Sequence, residues 1–498
     1  MRTLNKYFNF AITAFVMMLF ASCNNDQKVN GTEKVDRYET LIDLSFPGAY
    51  PSEGSTEILR KELAFQRGVQ TYLWALPAMN MYAMREGQRA AFSDNSNVLM
   101  IAKDRIDYNL EYTTGNPDVI YAFAWLDLKK EGPTVLDMPA NLQGLLDDMW
   151  HRPITDIGAI GPDKNQGGKY LILPPNYNEE VPEGYFTFKS STYGVFVFLR
   201  SFLIDGKTEP GVALLEQTNI YPLSKTDNPP KMEFPNLSGV NVSGDFPRDI
   251  EYFERLAEFI NYETVNRNDF AMRGMLAEIG IVKGQSFNPN EKLKNILNTS
   301  ANVGYKMATD VSFNYNGDIS IYEDRNWQQV FIGGSPIFEK ETYSDFDARI
   351  AFFHKAYSTS NGMVLAIPGK GSQYLTGYKD LEGNFLTGEN SYHVYFPTNV
   401  PVANYWSIVL YDADTRGLLN NGEPFPSIAS NQEYIQNEDG STDIYFGPEK
   451  PKGKPVNWIK TVPNKGYFLA VRLFSPTQAY FDQTWRPDDI EKVNVTEE

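Results

Sequence analysis

A single cysteine, Cys23, occurs among the 498 residues of this chain. An intramolecular disulfide is therefore impossible, and any stable fold must rest on the packing of apolar side chains. The composition allows such a core, because 42% of the residues are hydrophobic and 14% are aromatic. A chain of this length is also expected to divide into two or three domains.

The N-terminus has the layout of a bacterial lipoprotein signal. Two cations precede an apolar run at about residues 8–20, which is too short to span a bilayer, and small residues stand immediately before Cys23. This pattern resembles a lipobox, in which the cysteine is lipidated and becomes the mature N-terminus. We expect export, removal of residues 1–22 and a lipid (palmitate) anchor at Cys23, which places the protein at the outer membrane of the cell envelope. An ordinary cleaved signal with an incidental cysteine is the alternative.

The chain is strongly acidic, with a formal net charge of −18 at pH 7. Nucleic-acid phosphates repel a surface of this sign, and no lysine- or arginine-rich stripe offsets the repulsion. We therefore predict no nucleic-acid partner, and contact with the membrane only through the lipid anchor. The oligomeric state stays open.

The apolar pattern divides the chain into alternating helical and β-rich regions. Residues 55–92 have the 3.6-residue spacing of a helix, which Pro77 is expected to kink or end. Short apolar runs between Gly, Pro, Asn and Asp follow, as in a β-sandwich or barrel. Helical spacing returns at 247–309, and a second β-rich region begins with a strand predicted in MVLAIPG at 363–369.

These regions predict an α+β fold that is mainly β, with helical segments between two β domains. The predicted boundaries are 1–22 for the signal peptide, 23–54 for a lipidated tether, 55–246 for the first β domain with its N-terminal helices, 247–360 for the helical segment and connection, and 361–498 for the second β domain.

The stretch GPDKNQGGKYLILPP, residues 161–175, comes nearest to a phosphate-binding loop. A P-loop needs a glycine where Asp163 stands and a magnesium-binding Ser or Thr where Tyr170 stands. The two prolines that follow end a strand, whereas phosphate binding requires the N-terminus of a helix. We therefore predict a turn leading into a strand, and no ATP chemistry.

No metal site and no cofactor are predicted. The three histidines, His151, His354 and His393, lie far apart and form no H-x-H or H-E-x-x-H motif. The stretch DADTRGLLNNGE, residues 412–423, has acidic residues at several calcium-loop positions, but Arg416 falls where an oxygen ligand is required. A hairpin turn is the preferred interpretation.

Aromatic and polar side chains cluster in the first β domain, at residues 114–128 and 148–154. On a strand, Tyr121 and Trp125 point to one face. Aromatic rings beside Asp, Asn and Arg are found in ordinary cores and also in sugar-binding grooves. The functional hypothesis assigns acid–base roles to Asp118, His151 and Tyr121, and ligand binding to Asn116, Trp125, Arg152 and Lys169.

A structural interpretation of the same residues stays open. Asn116 and Asp118 are also typical of a turn, and His151 would then be a satisfied core side chain. In the functional interpretation, the neighbouring cation Arg152 is expected to lower the pKa of His151.

Two longer segments resemble a known pair of domains. Residues 114–139, together with GPDKNQGGKYLILPPNY at 161–177, resemble the DUF1254 domain. Residues 395–421, with NWIKTVPNKGYFLAVRLFSP and WRPDDIEKV further on, resemble the DUF1214 domain that usually follows it. The resemblance covers most of residues 60–495 and implies a β-rich N-terminal domain, helices and a C-terminal jelly-roll-like sandwich. It implies no reaction.

Two classes of function remain. The first is an envelope lipoprotein that binds or processes carbohydrate in an aromatic cleft. The second is a hydrolase or lyase acting on another small molecule, with a carboxylate and His151 or Tyr121 as acid and base. A non-catalytic interaction protein is a third interpretation. The expected partner is therefore a small molecule or a glycan, and whether the protein is an enzyme stays open.

Overall fold

A computed structural model describes residues 36–93, 95–452 and 457–494. The chain divides into two units, residues 1–62 and 63–498. The signal peptide, Cys23 and the first part of the tether lie outside the described residues, so lipidation stays a prediction. Over the described ranges, no helix combines the length and hydropathy that a membrane span requires.

The first helices follow directly from local capping and packing. Helix α1 (Arg37–Ile42) begins at Asp36, whose carboxylate accepts a hydrogen bond from the second helical residue. Helix α2 (Glu53–Ala91) runs through Pro77, so an end at that proline is wrong. Proline removes one backbone hydrogen bond, but residues 75–84 are all buried, and packing on every side stabilises the helix there.

The first β region forms two sheets that face each other. Its strands are β1 (Met100–Ile101), β2 (Ile120–Asp127), β3 (Thr134–Met138), β4 (Gln143–Asp148), β5 (Pro153–Ile157), β6 (Gly168–Leu173), β7 (Phe186–Lys189), β8 (Gly194–Ser201) and β9 (Asn219–Pro222), with helices α3 (Leu128–Glu131) and α4 (Glu209–Leu215) between them. The sheet orders are β1-β2-β8-β4-β5 and β7-β6-β3-β9. Aliphatic side chains from both sheets fill the space between them.

Helices follow, and the first three begin within 247–309, where the 3.6-residue spacing predicts helix, whereas the last two lie beyond that range. They are α5 (Ile250–Tyr262), α6 (Phe270–Glu278), α7 (Glu291–Phe313), α8 (Phe346–Lys355) and α9 (Asn361–Val364). The strand predicted at 363–369 is wrong, because the Ser360 hydroxyl accepts from the Met363 N–H and starts α9 instead.

The second β region is also a pair of facing sheets. Its strands are β10 (Ser372–Gly377), β11 (Ser391–Phe396), β12 (Trp406–Asp412), β13 (Ser427–Ala429), β14 (Thr442–Gly447), β15 (Asn457–Lys460), β16 (Tyr467–Phe474) and β17 (Glu491–Val493), with helix α10 (Gln478–Phe481) before the last strand. The orders are β10-β16-β12-β13 and β15-β14-β11-β17. The mixed α+β class, with a β-rich C-terminal region, is confirmed.

One sheet of each sandwich is buried on both faces. On β8, Val197 packs inside the first sandwich, whereas Phe198 points the other way into a central core. On β16, Val471 packs inside the second sandwich and Ala470 points into the same central core. Helices α2, α5, α7 and α8 contribute further side chains to that core. The side chains on the other faces of these two sheets therefore meet in the middle of the second unit.

Candidate functional site

A cavity lies in the central core, between the second faces of β8 and β16 and the helices α7 and α8. Its volume, counted as space open to the centre of a water-sized sphere, is about 80 Å³. Both β regions and the helices contribute to its wall. The lining side chains with polar groups or aromatic rings are Thr114, Asn116, Tyr121, Phe198, Arg200, Ser312, Tyr315, Gln329, Phe331, Phe352, Lys355, Tyr357, Tyr374, Thr376, Tyr378, Phe468, Arg472 and Phe474.

Arg472 is a buried cation in this wall. It lies on β16 at a position that alternation directs into the central core. Its Nη2 donates to the carbonyl oxygen of Thr114 at 2.7 Å and to the hydroxyl of Tyr411. Its Nε has no hydrogen-bond partner among the described residues. The guanidinium stays charged, so it presents an unsatisfied donor beside the cavity.

Arg200 is a second cation, contributed by β8. It stands opposite Tyr121 in the antiparallel β2–β8 pair, and its guanidinium carbon lies 5.8 Å from the centre of the Phe198 ring. Its Nε is also buried without a partner, and no ion pair joins it to another described residue. Arg200 is half-buried, and it interacts electrostatically with the carboxylate of Asp156, which does not line the cavity.

Two tyrosines supply hydroxyl groups to the same wall. Burial raises the pKa of Tyr121, although the nearby Arg472 and Arg200 act in the opposite direction. Burial also raises the pKa of Tyr357, well above its ordinary value. Both phenols are therefore protonated at neutral pH and serve as hydrogen-bond donors or acceptors rather than as bases.

Lys355 adds a third cation at the end of α8. Its Nζ donates to the carbonyl oxygen of Ser312 at 2.5 Å and to the hydroxyl of Tyr378 at 2.9 Å. The described residues that line the cavity include no Asp, Glu, His or Cys. The cavity therefore combines aromatic walls and hydroxyl groups with an excess of positive charge.

Two of the residues predicted from the sequence line this cavity. Tyr121 does so from β2, and Asn116 from the loop before it. The Asn116 side-chain oxygen also accepts from the Asp118 N–H at 3.0 Å, which closes the turn. Asp118 itself is completely buried next to the second β region, where its Oδ1 accepts from Gln432 at 2.9 Å and Ser427 at 3.1 Å. The Asp118 carboxylate thus joins the two β regions and does not line the cavity.

His151 is held as a neutral core side chain. The Ser358 N–H donates to its Nδ1 at 3.1 Å, which leaves the proton on Nε2 to donate to the side-chain oxygen of Asn80. The ring stacks on Phe353 with centroids 4.9 Å apart. Burial lowers the pKa of His151 to about 3, and the cation that adds to this shift is Arg349. Arg152, which was expected to lower this pKa, therefore does not contribute to the shift.

The remaining predicted residues lie away from the cavity wall. Trp125 is buried in the central core, where its Nε1 donates to Gln88. Arg152 pairs with Asp269 at 3.4 Å. Lys169 is on β6 of the outer sheet, with its side chain 45% exposed.

The glycine-rich stretch before β6 is organised by its own carboxylate. Asp163 accepts from the backbone N–H groups of Gly158 at 2.8 Å and Gly167 at 3.1 Å, and from the hydroxyl of Tyr170 at 2.6 Å. The residue that excludes a P-loop thus closes the turn into the strand, as the sequence interpretation predicts.

Replacing Lys169 with alanine should leave stability almost unchanged. Among the described residues it forms an ion pair with Asp137 at 3.8 Å, and both side chains are more than one-third exposed. Pairs of this kind contribute about 0–1 kcal/mol. Urea unfolding should therefore show a loss of less than about 1 kcal/mol, and a larger loss would mean that the strand depends on this lysine.

Sequence reasoning missed most of the cavity wall. Arg200, Lys355, Tyr357, Tyr374 and Arg472 received no role. A signal was present in the strand period: FVFLR and FLAVR each place an arginine at a position that shares a face with aromatic or small core residues. An arginine on the inner face of a core strand could have been singled out on that basis.

Comparisons with known proteins agree with the two-part architecture. Residues 96–222 match the family described as "Protein of unknown function (DUF1254)", and residues 371–478 match "Protein of unknown function (DUF1214)". No curated protein matches the chain.

Two solved structures are similar to this chain. The VPA0106 protein from Vibrio parahaemolyticus has a TM-score of 0.53 and 16% identity, over 86% of this chain and 100% of its own. An uncharacterised protein from Burkholderia cenocepacia has a TM-score of 0.42 and 12% identity, over 89% of this chain and 97% of its own. At this level of identity, the Vibrio protein supports the fold alone.

Proposed function

The chain is a DUF1254/DUF1214 domain protein, and we propose that it binds a small anionic molecule with an aromatic or apolar body. The observation that carries this proposal is the pair of arginines, Arg200 and Arg472, on the aromatic wall of one cavity. Each has an unpartnered buried Nε within the described part of the protein. An anionic group in the cavity would be attracted by both guanidinium groups, because Asp156 and Asp118, the carboxylates that Arg200 and Arg472 influence, do not line the cavity wall.

Binding is favoured over hydrolysis because of the groups that line the cavity. Hydrolases and lyases commonly use a carboxylate, histidine or cysteine as base or nucleophile. The described wall offers tyrosines with raised pKa values and three cations instead. These groups hold and orient a ligand, and they donate hydrogen bonds to it.

Carbohydrate is retained as a second candidate class because the cavity has many aromatic rings and hydroxyl groups. An acidic sugar would use both the rings and the arginines, whereas a neutral glycan would leave the cations unpaired. The N-terminal sequence pattern supports our further proposal that the site is exposed in the cell envelope, with the protein anchored through a lipid on Cys23.

The arginines can be tested by titration calorimetry with matched ligands. Benzoate and galacturonate should bind the purified protein more tightly than benzyl alcohol and galactose, their uncharged counterparts. Arg200→Gln and Arg472→Gln should each weaken binding of the tighter anion about 10- to 100-fold, since a hydrogen bond to a charged group contributes about 1.5–3 kcal/mol.

Arg255→Gln is the matched control for the loss of one positive charge. Arg255 lies on the surface of α5 and pairs with Glu251 at 2.7 Å, outside the cavity wall. This variant should keep the affinity of the unmodified protein. Equal affinity for the charged and uncharged ligands, or an equal loss in all three variants, would contradict anion binding in this cavity.

A further inference from the structure

A second groove lies next to the cavity. The two spaces share five lining residues, Gln329, Val330, Phe331, Met363 and Tyr374. Beyond these, the groove is lined mainly by apolar and aromatic side chains: Ile321, Val364, Ala366, Tyr480 and Phe481. The described groove wall includes no Asp, Glu, Lys, Arg or His. Across this passage, which comprises the cavity and the adjoining groove, charged side chains are therefore confined to the cavity.

Tyr374 connects the two ends of this passage. On one side, the Arg472 guanidinium carbon lies 5.6 Å from the centre of the Tyr374 ring. On the other side, the Tyr374 and Phe331 rings meet edge to face with centroids 5.9 Å apart. Tyr374 and Phe331 each line both the cavity and the groove. A molecule whose charged end contacts Arg472 could therefore extend past these two rings into the groove.

We propose that the ligand is an elongated amphiphile, an unbranched alkyl carboxylate of the fatty-acid type. Its carboxylate would lie between Arg200 and Arg472, and its alkyl chain would pass Phe331 and occupy the groove. This inference rests on the proposed anion binding and adds the length and apolar character of the ligand. The separation of cationic and uncharged walls along one passage favours an amphiphile over a compact aromatic acid, which would fill only the cavity.

A series of alkyl carboxylates from butanoate to hexadecanoate tests this inference on the unmodified full-length protein. Calorimetry, below the critical micelle concentration of each ligand, should show the dissociation constant falling about fourfold for each methylene that enters the passage. The fall should stop when the groove is full. The alcohol of the same length should bind more weakly than each carboxylate, because it lacks the group that pairs with the arginines.

Ala366→Trp is designed to fill the groove without touching the inner cavity. Ala366 lines the groove and is absent from the cavity wall. The variant should weaken binding of the long carboxylates at least tenfold and leave butanoate affinity unchanged. Ala366→Ser, which keeps the groove open, is the control and should behave like the unmodified protein. An unchanged thermal melting temperature would establish that both variants fold.

The outcomes separate this inference from the proposed function. Equal affinity across the chain-length series, or an equal effect of Ala366→Trp on short and long acids, would overturn the elongated ligand while leaving anion binding intact. Carboxylates that bind no better than their alcohols at every length would overturn the proposed function itself. The chain-length series does not depend on any variant, so it decides the question even if Ala366→Trp fails to fold.

Discussion

Replacing Arg416 with alanine is expected to lower the free energy of unfolding by about 3–5 kcal/mol, because it leaves a cavity and unsatisfied hydrogen-bond acceptors in the core. Arg416 is completely buried. Its Nη2 donates to Asp245 at 3.1 Å, its Nε to the carbonyl oxygen of His354 at 2.9 Å, and its Nη1 to the hydroxyl of Tyr305 at 3.1 Å. Alanine would leave these acceptors without a donor and an empty space among the helices. Urea unfolding followed by circular dichroism measures the loss.

Arg248→Ala is the matched control for this prediction. Arg248 pairs with the same Asp245 at 3.4 Å and with Asp414 at 2.9 Å, but its side chain is 34% exposed. Water can replace those contacts, so the expected loss is about 1 kcal/mol or less. Equal losses in the two variants would mean that the burial of Arg416 adds nothing to the stability of this contact.

Arg416 also shows that a local turn could be predicted from the sequence, whereas long-range contacts could not. Its place in DADTRGLLNNGE argues against a calcium loop, and the Asp412 carboxylate accepts from the backbone N–H of Asp414 at 2.8 Å in the turn after β12. No local pattern indicates that the arginine reaches the helices, because its partners Asp245, Tyr305 and His354 are between 62 and 171 residues away. Contacts of that separation depend on tertiary packing and leave no local pattern.

Most of the fold was predictable because it depends on local periodicity. The helical spacing at 247–309 and the short apolar strands on either side are features of neighbouring residues. The errors occur where tertiary contacts override local preference. Pro77 stays within a helix that is buried on all sides, and residues 361–364 form a helix in a run rich in β-favouring residues.

The candidate site was predictable only in part, because it is assembled from three separate regions. Tyr121 and Asn116 line the cavity, and both came from the first β region. Their chemical partners Arg200, Lys355 and Arg472 are between 79 and 356 residues further along the chain. His151 has polar neighbours in sequence, but the fold directs its ring to Asn80 and Phe353. Local density of polar residues therefore did not separate a structural histidine from a cavity residue.

Glu263 gives a second large effect, in the pH dependence of stability. Its carboxylate follows the last residue of α5 and is 1% exposed. It accepts from the backbone N–H groups of Tyr193 at 2.6 Å and Gly194 at 3.0 Å. Burial outweighs these two hydrogen bonds and raises the pKa of Glu263 to about 7, from an ordinary value of 4.5. The negative end of the helix dipole also disfavours a negative charge at this position.

A raised folded-state pKa means that the folded protein binds the Glu263 proton more tightly than the unfolded chain does. The contribution of this group to stability is therefore complete below about pH 4.5 and is lost as the pH rises to about 7. The difference in unfolding free energy between the unmodified protein and Glu263→Gln isolates this contribution, since glutamine does not titrate. That difference should shift by about 3 kcal/mol in favour of the variant between these two pH values.

Glu251→Gln, which removes one negative charge from the exposed side of the same helix, is the control. A difference that stays constant from pH 4.5 to 7 would show that Glu263 has the same pKa in the folded and unfolded states, with the hydrogen bonds from Tyr193 and Gly194 offsetting the cost of burial.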